Sequence, residues 1–139
     1  MVQLSEEVER LIIKAGNVVF VGSVDAKGVP NISPRFVLDI VGNEKLLFGD
    51  SFQSKTLDNL KAWNKVTVAI IDHETMGGFQ LKGDVLEVTD ESLIKEGSQK
   101  LKEFGFNHSP RRIWTLEVKE IYSLKPSDES KPPLISAYG

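Results

Sequence analysis

The residues best placed to do chemistry stand together in "SKTLDNLKAWNK", residues 54–65, where Ser54, Lys55 and Thr56 open a short helical pattern. Apolar, β-branched runs flank it, "LLFGD" before and "KVTVAIID" after. The first turn of a helix carries backbone N–H groups without partners and the positive end of the dipole. Two hydroxyls and an ammonium group there suit an anion such as a phosphate. They also suit an ordinary N-cap, and spacing alone leaves both readings open. Arg35, in "SPRFVLDI" at 33–40, is a second candidate cation. Pro30 and Pro34 bracket the same stretch. Proline cannot donate to a ladder, so "PNISPR" is expected at an edge, at a bulge, or where backbone faces a ligand rather than a strand.

Other chemistry is largely excluded. The chain has no cysteine, which removes disulfides, thiolate nucleophiles and Cys-ligated metal centres. His73 and His108 are the only histidines and fall in expected loops. "DHE" at 72–74 lacks the further ligands a metal site needs. No Ser-His-Asp order, paired-carboxylate arrangement or phosphate-binding glycine loop is present.

With 139 residues, 40% hydrophobic and 27% charged, the chain reads as one soluble domain, 1–139, ending in a polar tail over 125–139. A net charge of −3 gives no general reason to expect nucleic acid. No apolar run approaches the roughly 20 residues of a membrane span, and the acidic N-terminal stretch is unlike a signal peptide. The expectation is therefore a cytoplasmic protein without a membrane partner.

The elements that would position these residues follow from periodicity. "LSEEVERLIIKAG" places Leu4, Val8, Leu11 and Ile12 on one helical face, with acids in the first turn and Gly16 as a stop. Strand, tight turn and strand follow over "VVFVGSVD", "AKG" and "VPNISPRFVLDIV". After the strand "EKLLFGD" comes the helix 54–63, which is expected to carry Trp63 into the core, and then the strand "KVTVAIID". The long strand "FQLKGDVLEVTD" has Gly83 where a bulge would bend it. A lysine- and glutamate-rich helix over 91–105 and a closing strand over "RRIWTLEVKEIYSLKP" complete the chain. No helix separates the first three strands, so a parallel doubly wound sheet is excluded. The pattern predicts a mainly β, α+β fold: a six-stranded antiparallel barrel with flanking helices.

In order and spacing these segments resemble the FMN-binding split-barrel flavoproteins, the pyridoxamine 5'-phosphate oxidase-like family. The likeness covers roughly residues 17–89, with a looser match over 111–125. Against that family's S-R-K-x-x-x-L-x-x-N-P, Ser54 stands for the serine, Lys55 for the arginine and Thr56 for the lysine. Leu60 matches; Asn64 and Lys65, each one position beyond the pattern's asparagine and proline, are set against them. The resemblance implies that Ser54, Lys55 and Thr56 hold an FMN phosphate, with Arg35 as a second basic contact. It also implies that Ser33, Pro34, Phe36, Val37 and Leu38 run along the flavin edge, and that Gly49, Asp50 and Ser51 line its ribityl and ring region. Trp114 either reaches the flavin or packs in the core. The resemblance further implies a homodimer with the cofactor between subunits, exchanging hydride or electrons with a nicotinamide or a protein donor and needing no catalytic side chain. Thr56 in place of lysine leaves less positive charge for a phosphate. The alternatives are a deazaflavin or haem in the same fold, or a non-enzymatic flavin carrier. The ending "PPLISAYG" argues against the oxidation of pyridoxamine phosphate itself, because the substrate-binding extension of those oxidases is not matched.

Overall fold

The computed structural model describes residues 2–50, 55–106, 112–127 and 132–138. Helix α1 spans Glu6–Lys14; the Ser5 hydroxyl caps it, accepting from the Val8 amide at 3.3 Å. Glu6, Glu7 and Glu9 lie at the positive end of its dipole and Lys14 at the negative end. Gly16 and Asn17, both at positive φ, end it. As the sequence predicts, Val8 and Ile12 are buried, and with Val2 and Leu4 they join the main core.

Eight strands follow among the described residues: β1 (Val18–Val24), β2 (Pro30–Phe36), β3 (Asp39–Val41), β4 (Lys45–Asp50), β5 (Lys65–Asp72), β6 (Gly77–Glu87), β7 (Arg112–Ser123) and β8 (Ile135–Ser136). Helices α2 (Lys55–Ala62) and α3 (Glu91–Glu103) interrupt them. The sheet is antiparallel throughout, in the order β2-β1-β5-β6-β7-β4-β3, with β8 added to β7. The two strands beyond the expected six have simple causes. The segment 29–41 is broken at Val37 and Leu38, whose amides turn to the Asn17 and Leu47 carbonyls at 2.7 and 2.8 Å. The tail contributes β8, held by backbone bonds from Leu134 to Ile121 and from Ala137 to Lys119.

The β1–β2 hairpin turns at Gly28, φ +85°, where Asp25 Oδ1 accepts from the amides of Lys27 and Val29 at 2.9 Å each. Strand β6 has its predicted bulge, a register shift between Lys82 and Gly83 opposite β7. The inward faces form the main core around Phe48, Leu46, Ile70, Leu81 and Leu116, each fully buried. Burying one such side chain contributes about 1.5–3 kcal/mol.

A smaller cluster lies under α3 on the other face of β4 and β7, where Leu38, Leu47, Leu101 and Ile113 meet. Phe36 stacks on Phe104 there at 4.8 Å. Helix α3 also sets the Glu96 carboxyl against Asp39 of β3. A hydrogen bond and repulsion from Asp39 raise the Glu96 pKa above the usual glutamate range, with Lys100 opposing. A raised acid stabilises the fold below its unfolded pKa and loses that contribution as pH rises through the folded value. Glu96→Gln should therefore gain melting temperature over wild type at about pH 7 and show no advantage near pH 4. Parallel melts at the two pH values check this; an equal difference at both would refute it.

Candidate functional site

Strand β2 alternates: Pro30, Ile32 and Pro34 face outward and are exposed, while Asn31, Ser33 and Arg35 face inward toward the start of α2. Thr56, the second residue of α2, is only 1% exposed. Its hydroxyl accepts from Asn31 Nδ2 at 3.1 Å and lies 2.7 Å from Ser33 Oγ. Arg35 Nη1 donates to Ser33 Oγ at 3.1 Å and to the Pro34 carbonyl at 2.7 Å, and Nε donates to Asp50 Oδ1 at 2.7 Å. One turn further along α2, Asn59 Nδ2 donates to Ser23 Oγ at 3.1 Å. Ser23, Asp50, Thr56 and Asn59 are four of the five buried polar residues among those described. Polar groups are thus concentrated where α2 meets the barrel, and there they are mostly satisfied by one another.

The ion pair has a second role. Strands β2 and β4 lie toward opposite ends of the sheet order, with no ladder between them. Arg35 and Asp50, with side chains 16% and 3% exposed, join the two across the split in the barrel. The second carboxylate oxygen of Asp50 is buried without a hydrogen-bond partner, as is the Trp114 indole nitrogen.

The structure brings Ser33, Pro34, Arg35, Asp50 and Thr56 into one connected network. Lys55 stands at its border, exposed, as the first residue of α2. Ser51 and Ser54 lie outside the described residues. Val37 and Leu38 are buried, with their amides already bonded, so the unpaired backbone expected along 29–38 is confined to the outer edge of β2. Gly49 faces the smaller core; a Cβ there would stand 3.0 Å from Ile113 and Leu101 methyl carbons. Trp114 is turned into the barrel, 2% exposed and stacked on Phe48 at 4.4 Å. Of its two predicted roles the structure shows core packing. Trp63 reverses its expectation: α2 ends at Ala62 and the indole is 55% exposed.

Asn31, Asn59 and Ser23 are site residues that the sequence reading passed over. The period-2 spacing of Asn31, Ser33 and Arg35 was an available signal; Ser23 and Asn59, 36 residues apart, offered none. Asn31 also borders a groove of about 670 Å³ across the outer face of β1, β2, β5 and β6, with Gly22 in its floor and Ile32, Thr67, Gln80 and Tyr138 along its walls. Among the described residues there is no cluster of three or more His, Asp or Glu side chains fit for a metal. No helix among them is long and apolar enough to cross a membrane.

No curated protein sequence matches this chain. Solved structures do match its fold. HupZ of Group A Streptococcus aligns with a TM-score of 0.77 at 21% identity, over 92% of this chain and 99% of that one. An FMN-binding protein from Syntrophomonas wolfei subsp. wolfei aligns at 0.78 and 16%, over 88% and 86%. A heme binding protein from Mycobacterium smegmatis aligns at 0.69 and 18%, over 93% of this chain but 57% of its own. The family model described as pyridoxamine 5'-phosphate oxidase matches residues 4–125. That span takes in α1, the whole network at the start of α2 and strands β1 to β7, and the chain belongs to this family.

Proposed function

We propose that the chain is an FMN-binding flavoprotein that exchanges hydride or electrons through its flavin, with the phosphate held at the start of α2. The observation that carries this reading is the linked set Arg35, Ser33 and Thr56 beside Lys55. Its chemistry fits a phosphate ester: a guanidinium, hydroxyls, a lysine and the N-terminal amides of a helix, with no metal required. Bound FMN would supply the redox chemistry. Lys55 would contact the phosphate from the solvent side. Ser33 and Arg35 would meet it from β2, and Thr56, anchored by Asn31, would fix the position of the helix rather than reach out. The free edge of β2 offers backbone donors and acceptors to a planar polar ring edge.

A homodimer belongs to the same proposal. Val24 and Ile32 are exposed hydrophobics bordering the groove on the outer face of the sheet, and a second copy would cover them. The likeness to a heme binding protein favours haem as the second reading.

The spectrum of freshly purified protein, with and without added FMN, separates the readings. Flavin bands that co-purify, or FMN taken up on titration, support the proposal. A Soret band supports haem instead, and a protein that takes up neither ends both. Oxidation of a nicotinamide by the flavin-loaded protein would then distinguish an enzyme from a carrier. Lys55→Ala should weaken FMN binding roughly tenfold or more, since a charge-assisted contact contributes about 1.5–3 kcal/mol. An unchanged dissociation constant would remove the phosphate from the start of α2.

A further inference from the structure

We propose that the flavin ring lies in the groove on the outer face of the sheet, with Tyr138 as the aromatic wall that packs against it. The inference rests on the flavin reading above and adds to it where the ring sits and which side chain covers it.

The hydroxyl network and the groove are continuous. Asn31 Nδ2 donates to the Thr56 hydroxyl and Ser23 Oγ accepts from Asn59, and both residues also line the groove. Strand β2 is outermost at its end of the sheet, so a ligand whose phosphate rests at the start of α2 passes over a free edge to reach the outer face. The split itself is closed to a ring there: Val37 and Leu38 have their amides bonded, and Gly49 abuts Ile113 and Leu101.

The groove is shaped for a flat apolar body. The Thr67 hydroxyl accepts from Gln80 Nε2 at 2.9 Å and donates to the Leu81 carbonyl at 3.4 Å, which leaves its methyl group turned toward Gly22. An ideal Cβ on Gly22 would stand 2.8 Å from that methyl, so the floor is bare backbone and one methyl. Strands β2, β1 and β5 lie side by side beneath it and make it roughly 10 Å wide at the usual spacing between strands. The exposed side chains of Val24 and Ile32 rise toward the β1–β2 hairpin. Tyr138 forms the far wall. The tail fixes it there: the Ala137 amide donates to the Lys119 carbonyl at 2.7 Å, and the Ser136 hydroxyl donates to Glu120 Oε2 at 2.8 Å and accepts from the Tyr138 amide at 3.2 Å. Lys65 Nζ, 5.1 Å from the centroid of the tyrosine ring, steadies one face of it. A tricyclic ring on this floor would meet the phenol on one side and Ile32 on the other. A second copy laid over Val24 and Ile32 would roof it.

The experiment titrates the full chain, by flavin fluorescence, with FMN and with riboflavin, which has the ring but no phosphate. Tyr138→Ala should weaken both by a similar factor, roughly fivefold or more, whereas Lys55→Ala should weaken FMN alone. Tyr138→Phe keeps an aromatic wall and should bind within about twofold of wild type. Its bound flavin should nevertheless be brighter, because a phenol touching a flavin quenches it by electron transfer and a phenyl ring does not. If Tyr138→Ala binds FMN as tightly as wild type, or weakens FMN but not riboflavin, the proposal is overturned, while a Lys55-dependent FMN affinity leaves the phosphate reading standing. Where riboflavin binds too weakly to titrate, the FMN affinities and the brightness of bound FMN decide. A Tyr138→Ala chain that loses a dimer on gel filtration and keeps its flavin affinity gives the groove to a second copy, which also overturns the proposal. Wild type taking up neither flavin would instead refute the flavin reading, and this inference with it.

Discussion

Gly83→Ala is expected to destabilise the protein by about 3 kcal/mol or more, lowering the melting temperature by roughly 10 °C for a domain of this size. At the bulge of β6, an ideal Cβ on residue 83 would stand 2.0 Å from the Glu117 carbonyl oxygen and 2.9 Å from its carbonyl carbon. Both belong to the backbone of β7, which pairs with β6 on one side and β4 on the other. Neither can yield without shifting two ladders. Gly97→Ala is the useful contrast. Its Cβ would meet the Ile113 Cδ1 atom at 2.9 Å, the tip of a side chain that can rotate, and alanine gains about 1 kcal/mol of helix propensity over glycine. Its net effect should be small. Paired thermal melts test the contrast; a Gly83→Ala protein melting with wild type would show that the bulge can relax.

The second large effect is expected from Arg35→Met. Removing one partner of a buried ion pair costs about 3–5 kcal/mol, because the other charge is left without compensation. Asp50 is nearly inaccessible to water and its second oxygen already lacks a partner, which places it at the severe end. The same pair spans the split between β2 and β4, so its loss also frees the two sides of the barrel to part. The double variant Arg35→Met with Asp50→Leu should recover much of the loss, since no orphaned charge remains. Denaturant unfolding of the two single variants and the double measures the coupling. If the double variant is as unstable as Arg35→Met alone, uncompensated charge is not the cause.

What could be read from the residues in advance depended on how local the physics was. The helix face of Val8 and Ile12, the turn at Gly28, the bulge at Gly83 and the helix opening near Lys55 follow from signals within a few neighbours. The bond between Arg35 and Asp50 joins positions 15 apart across the split and leaves no periodic trace. Strand β8 has only two residues, too few to show a period of two, and it pairs with β7 at Glu120 and Ile121, beyond the stretch that β4 covers. Trp63 was misread because the helical pattern continues past Ala62 while the helix itself does not.

Pro30 and Pro34 bear on how copies of this chain can meet. They occupy the outermost strand at one end of the sheet, and a residue without an N–H cannot complete a hydrogen-bonded register with an incoming strand. Growth of the sheet by stacking chains side to side, the geometry of fibrils, is blocked at that boundary. The two prolines thus act as a cap on that boundary, leaving an incoming strand without the donors it would need at alternate positions.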